Sequence, residues 1–145
     1  MSLIPMFSMS QVLKHAEQFA DDRMQEIIWA AADIGEGIIN DAREFGDYMD
    51  VTGNLRSSLG YDVFVKGQGK VGAQGIQGEK QEGRVNARET LNTVAAEEVG
   101  NGSALVCVAG MEYAGPLESK GRMVLTNFTP FTPEEFNKEM KDRLE

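Results

Sequence analysis

Between residues 10 and 45, apolar side chains recur at steps of three and four: Leu13, Ala16, Ala20, Met24, Ile27, Ala31, Ile34, Ile38, Ala42 and Phe45. This is one stripe of a 3.6-residue period and predicts a single long amphipathic helix. Ser10, or Ser8 before it, can cap its start, and Gly46 stands where a helix C-terminus favours glycine. Unbroken, the helix would be about 50 Å long at ~1.5 Å per residue. Gly35 and Gly37 each weaken its middle by up to roughly 1 kcal/mol relative to alanine, so a bend is expected there. Eight acidic residues oppose three basic ones in this segment, which makes its outer face acidic.

Trp29 breaks the pattern. On a helical wheel it falls opposite the apolar stripe, among Gln18, Asp22, Gln25, Asp33 and Glu36. A large aromatic on a polar face needs a cover, which is either another part of the same chain or a neighbouring subunit, since tryptophan is favoured at interface cores.

Beyond the helix, Leu55, Ser57, Leu59, Tyr61, Val63 and Val65 alternate with more polar residues. The alternation predicts a strand over 55–66 that buries one side. Residues 67–84, rich in glycine, glutamine and charge, carry no apolar period and read as a flexible basic loop. Val85, Leu91, Val94, Ala95 and Val99 predict a short amphipathic helix over 85–99, closed by Gly100-Asn101-Gly102. A second strand follows over 104–113, then an irregular segment in which Gly115-Pro116 and Lys120-Gly121 punctuate a turn. At the end, Thr132-Pro133-Glu134-Glu135 has the pattern of a capped helix start, and Phe136, Met140 and Leu144 give the stripe of a C-terminal helix over 133–145. The expected fold is a single α+β domain, 1–145: a long N-terminal helix packed on a small antiparallel β-sheet, with a short middle helix and a C-terminal helix.

Charge and cysteine usage narrow the function. A formal net charge of -9 argues against a general nucleic-acid binder, which needs an excess of Lys and Arg to neutralise phosphate. Cys107 is the only cysteine, so neither an internal disulfide nor a thiolate metal cluster can form within the chain. Its setting, Leu105-Val106-Cys107-Val108-Ala109, marks it as a small core side chain. No apolar run approaches the ~20 residues that span a bilayer, and Met1-Ser2-Leu3-Ile4-Pro5-Met6-Phe7 lacks the basic start of a signal peptide. Synthesis in a cytoplasm, with no membrane partner, is the expectation.

The features that invite an enzymatic reading do not converge. Gly67-Gln68-Gly69-Lys70-Val71-Gly72 matches GxGxxG, but that motif needs a helix to begin there and receive the pyrophosphate. The chain instead continues Ala73-Gln74-Gly75-Ile76-Gln77-Gly78, a poor helix former. His15, the sole histidine, lacks a second histidine or a cysteine to complete a metal site or a nucleophile–base pair. Asp21-Asp22 and Glu97-Glu98 are adjacent carboxylates that point apart on a helix and read as solvated faces. The expectation is a protein without catalytic residues, cofactor or metal. Lys66, Lys70, Lys80, Arg84 and Arg88 form a locally basic cluster inside an acidic chain. No aromatic residue interleaves them as a stacking surface for single-stranded nucleic acid would need. Pairing with the acidic helix of a neighbouring subunit explains them, and such opposite patches favour head-to-tail contacts that can close into rings. A solvated loop explains them too.

Two segments carry a family resemblance. Thr52-Gly53-Asn54-Leu55-Arg56-Ser57-Ser58-Leu59 resembles the "TGxLRxSI" signature of the tail-component (neck or tail-completion) family of lambda-like long-tailed phages. Gly110-Met111-Glu112-Tyr113-Ala114-Gly115-Pro116-Leu117-Glu118-Ser119-Lys120-Gly121 resembles that family's "YAxxVExG" segment. In the family the first signature follows a long N-terminal helix and opens the first strand of a sheet. The resemblance implies a structural virion protein of the head–tail junction or tail terminus, encoded by a phage or prophage and made in the bacterial host's cytoplasm. It would act by self-assembly, as a ring, and by docking to other head–tail connector or tail proteins. By the physical reading, Arg56 lies on the strand face opposite Leu55, available to a carboxylate such as Glu118 or one on a neighbour. Tyr113 can bury its ring and keep its hydroxyl at a polar edge. The candidate interaction residues are therefore Trp29, Arg56, Lys66, Lys70, Lys80, Arg84, Tyr113 and Glu118. Two other readings stay open: a small non-phage binding module using the loop 67–83, and an enzyme of unrecognised class.

Overall fold

The computed structural model describes residues 9–47, 52–112, 114–121, 123–125, 128 and 132–144, without the side chains of 9–16, 116, 117 and 133. Helix α1 (Met9–Phe45) runs through Gly35 and Gly37 as one α-helix. A helical turn, α2 (Asn54–Ser57), leads into strand β1 (Leu59–Val65), which pairs with β2 (Gln68–Gly69). A 3-10 turn (Gly72–Gly75) precedes α3 (Gln81–Val94), which ends in a π-helical turn (Ala95–Val99). Then come β3 (Ser103–Ala109), α4 (Ala114–Ser119) and α5 (Pro133–Leu144). The sheet is antiparallel in the order β2-β1-β3, with Tyr61 opposite Cys107. The fold class is the expected one, α+β, with the long helix packed on a small antiparallel sheet.

The sheet is covered on both faces. Leu59 and Tyr61 of β1 pack with Ile39 and Ala42 of α1, and Val63 packs with Ile28 and Ala31. The alternate face of β1 and β3, with Phe64, Val106 and Val108, packs under Ala87, Leu91 and Ala95. Burial of a side chain such as Leu59, Ile39 or Leu91 is worth about 1.5–3 kcal/mol. The expectation that β1 buries one side is therefore corrected, because α3 roofs the face that the alternation left to solvent.

Other boundaries differ for stated reasons. The strand expected over 55–66 begins only at Leu59, because the left-handed Gly53 (φ 78°) turns the chain into α2. There Leu55 is buried and its carbonyl accepts from the Ser58 hydroxyl at 2.7 Å. Residues 67–84 are not one loop. Lys66 (φ 52°) and Gly67 (φ 81°) supply the positive φ at both central positions that a type I′ hairpin requires. The middle helix, expected over 85–99, starts earlier, at Gln81, in a stretch without apolar period. Gly83 permits this by lying so close to α2 that a Cβ would come within 2.5 Å of the Asn54 carbonyl oxygen. The second strand, expected over 104–113, stops at Ala109, and Ala114–Ser119 is helical rather than irregular. The expected end of the last helix, Glu145, lies outside the described residues.

Gly35 has a packing role. A Cβ there would sit 2.7 Å from Tyr61 Cδ2 and 2.8 Å from Leu105 Cδ1, so its absence lets α1 lie close on the sheet. At Gly37 a Cβ would meet nothing within 4 Å.

Candidate interaction surface

The apolar stripe of α1 is covered along only part of its length. From Ala31 to Ala42 its residues, with Ile28 beside them, are buried against the sheet and α5, whereas Phe45 at its end is 58% exposed. From Glu17 to Ile27 every residue is exposed, Ala20, Met24 and Ile27 of the stripe included. Phe19, beside that stripe, is 73% exposed.

Trp29 is 65% exposed and stands by the end of α5, sharing a shallow groove with Glu26, Asp33 and Arg143. Among the described residues, no other part of the chain covers it. Arg143 ties α5 to α1 beside it, with Nε 2.6 Å from Asp33 Oδ2 and Nη1 2.7 Å from Glu139 Oε2.

The basic cluster is divided by the fold. Lys66 and Lys70 are exposed at the β1–β2 hairpin, flanking an open wedge of about 570 Å³ whose other wall is α1 at Ala20, Asp21 and Met24. Lys80 lies on a different side, in a groove with Arg43 and Arg56. Its backbone N–H donates to Ser57 Oγ at 2.9 Å. Arg84 turns inward, its Nη1 donating to the Gly78 carbonyl at 2.6 Å. Arg88 is a packing residue, with Nη1 2.9 Å from Asp62 Oδ2 and Nη2 3.0 Å from the Gly72 carbonyl. The five cations therefore do not form one surface.

Arg56 belongs to α2 rather than to a strand, which corrects its expected placement on a strand face. Its Nε donates to the Arg43 carbonyl at 3.0 Å. Glu118, on α4, accepts from the Leu125 N–H at 2.8 Å and so helps fix the segment after α4. Tyr113 and the side chain of His15 lie outside the described residues.

Two groups were not singled out by sequence reasoning. Phe19 lies just off the stripe as drawn, so its exposure was hidden by its neighbours' regularity. Asp62 falls on the face of β1 that the alternation left to solvent, so the sequence did not mark it, and the roofing of that face by α3 buries it as one partner of an ion pair. Cys107 sits among the residues packed under α1, and burial pushes its thiol up to about 12. At neutral pH it is therefore held as the unreactive thiol. Among the described residues no group of three or more His, Cys, Asp or Glu side chains is placed to hold a metal ion. No helix of the described residues is long and apolar enough to cross a membrane.

Comparisons with protein-family models, with curated proteins and with solved structures each returned no match.

Proposed function

We propose that this chain is a structural protein that works by self-assembly and by docking to neighbouring ring proteins, at the head–tail junction or tail terminus of a long-tailed phage. One observation carries the assembly reading: Ala20, Met24 and Ile27 continue the core stripe of α1 and are exposed, with no described residue over them, while Trp29 is exposed on the opposite face of the same helix. Contiguous exposed apolar surface of this kind marks a protein contact. The virion setting rests on the resemblance of residues 52–59 and 110–121 to the tail-component signatures. The first segment follows the long helix, as in that family, although Asn54–Ser57 form a helical turn and only Leu59 of the segment enters the strand. In this reading the chain catalyses nothing, and its other partners are connector or tail proteins.

Two measurements test the proposal. Native mass spectrometry over a concentration series should detect oligomers, and a chain that stays monomeric and captures no head or tail component would overturn the assembly reading. Deletion of the gene from its phage should leave tailless heads or unjoined tails, restored by supplying the protein in trans. Normal virions from the deletion would overturn the virion role.

A further inference from the structure

A helix of α1's length gains most of its stability from tertiary packing of its apolar face. Within one copy, among the side chains described, that packing begins at Ile28. The segment from Met9 to Ile27 spans roughly 28 Å at ~1.5 Å per residue. Over residues 17–27 it is uncovered.

The wedge beside this segment has a distinct chemistry. Its floor holds the apolar Ala20, Met24 and Ile28 of α1 and Val65 of β1, with Asp21 and Gln25 on the α1 side, and its outer wall carries Lys66 and Lys70, so that cations outnumber the one acid in its lining. An occupant that fits must present an apolar ridge flanked by acid. Residues 17–27 of this same chain carry such a ridge, Ala20, Met24 and Ile27, in a segment with four acidic residues against one basic one. Glu17 and Asp21, one helical turn apart, lie along one border of that ridge. Stripe against stripe alone would bring two acidic borders together, so a pairing that uses this face needs the hairpin cations as well.

Resting on the self-assembly reading, we propose that the wedge between residues 17–27 of α1 and the Lys66–Lys70 hairpin receives residues 17–27 of α1 from a second copy of this chain. The exchange is reciprocal: each copy's Glu17 and Asp21 meet the other copy's Lys66 and Lys70 while the two apolar ridges cover each other. An isologous contact of this kind closes on itself, and Trp29, on the opposite face of α1, remains available to further neighbours.

The test is a charge swap read by sedimentation velocity over a concentration series, with circular dichroism to establish folding. Lys66→Asp with Lys70→Glu should raise the self-dissociation constant by about tenfold or more, aspartate being chosen at residue 66 because it tolerates a positive φ. Glu17→Lys with Asp21→Lys should weaken association comparably, although it makes the chain less negative than its -9. An equimolar mixture of the two variants should associate nearly as well as the original chain, because each altered helix then meets an altered hairpin of opposite charge. A mixture no tighter than its components would overturn the exchange, as would variants that associate as strongly as the original chain; either result leaves self-assembly standing through another surface. An original chain that is monomeric throughout would overturn both.

Discussion

The guanidinium of Arg88 on α3 lies 2.9 Å from the carboxylate of Asp62, a side chain at 0% exposure on the central strand. The other Asp62 oxygen accepts from the backbone N–H groups of Val63 and Val71 at 2.8 and 2.9 Å. The carboxylate thus joins α3, β1 and the segment after the hairpin in one polar knot beneath the helix.

Removing one partner of that pair leaves a buried charge uncompensated. Arg88→Ala is expected to destabilise the fold towards the lower end of ~3–5 kcal/mol, because water reaches the Arg88 side. Asp62→Asn together with Arg88→Ala should lose less than the sum of the single changes. Urea denaturation of the four proteins checks this, and strict additivity would show that the pair is not coupled.

Substitution of the two mid-helix glycines should have opposite signs. Gly35→Ala forces a Cβ into Tyr61 and Leu105 and should cost about 1–3 kcal/mol. Gly37→Ala meets open space and should stabilise by about 0.4–1 kcal/mol through the unfolded chain and helix propensity. Thermal melts of both variants decide. A destabilising Gly37→Ala would mean that this face of the helix is covered in solution.

Trp29 is the chain's single tryptophan, which makes it a direct reporter of its own surroundings. At low protein concentration its fluorescence should be red-shifted and easily quenched, as its 65% exposure requires. If it lies at a subunit contact, the emission should shift to the blue as concentration rises. Trp29→Ala should weaken that association and leave the helical circular dichroism signal nearly unchanged. Unfolding of Trp29→Ala would place its role inside the chain instead.

Burial raises the Cys107 thiol to about 12 and also raises Tyr61, chiefly by burial with help from Glu36. A group whose folded pKa lies above its unfolded value contributes stability that is complete below the unfolded value and is lost as pH rises through the folded one. Stability should therefore fall from about pH 9 to about pH 12, as the unfolded chain sheds protons that the fold retains. Cys107→Val should flatten part of that decline in denaturation curves taken across the range. At pH 8 the native thiol should react with iodoacetamide far more slowly than the urea-unfolded one, and equal rates would contradict its burial.

The long helix was legible because a period of 3.6 over ten apolar positions is local information, repeated often enough to outweigh two glycines. The same holds for the capped start of α5 and for the alternation of β1 from Leu59 onward. Leu55 and Ser57 obeyed the same alternation and became helical, because Gly53 reverses the chain and the close approach of Gly83 draws the segment under α3. Residues 67–84 looked unstructured because their order comes from glycines at crowded or left-handed positions, which leave no apolar period to read.

The candidate surface divides in the same way. The order of residues already required that α1 have one apolar face, that Trp29 stand off it, and that the chain be acidic with a local run of cations. Which length of that face packs on the sheet, which described length stays exposed and which cations reach solvent follow from the folded arrangement. Arg84 and Arg88 turn inward to Gly78 and Asp62, while Lys66 and Lys70 stay out beside α1. The physical reason is that periodicity and charge are properties of neighbours along the chain. Cover and pairing depend on which distant segments meet, and a sheet this short runs out before the helix does.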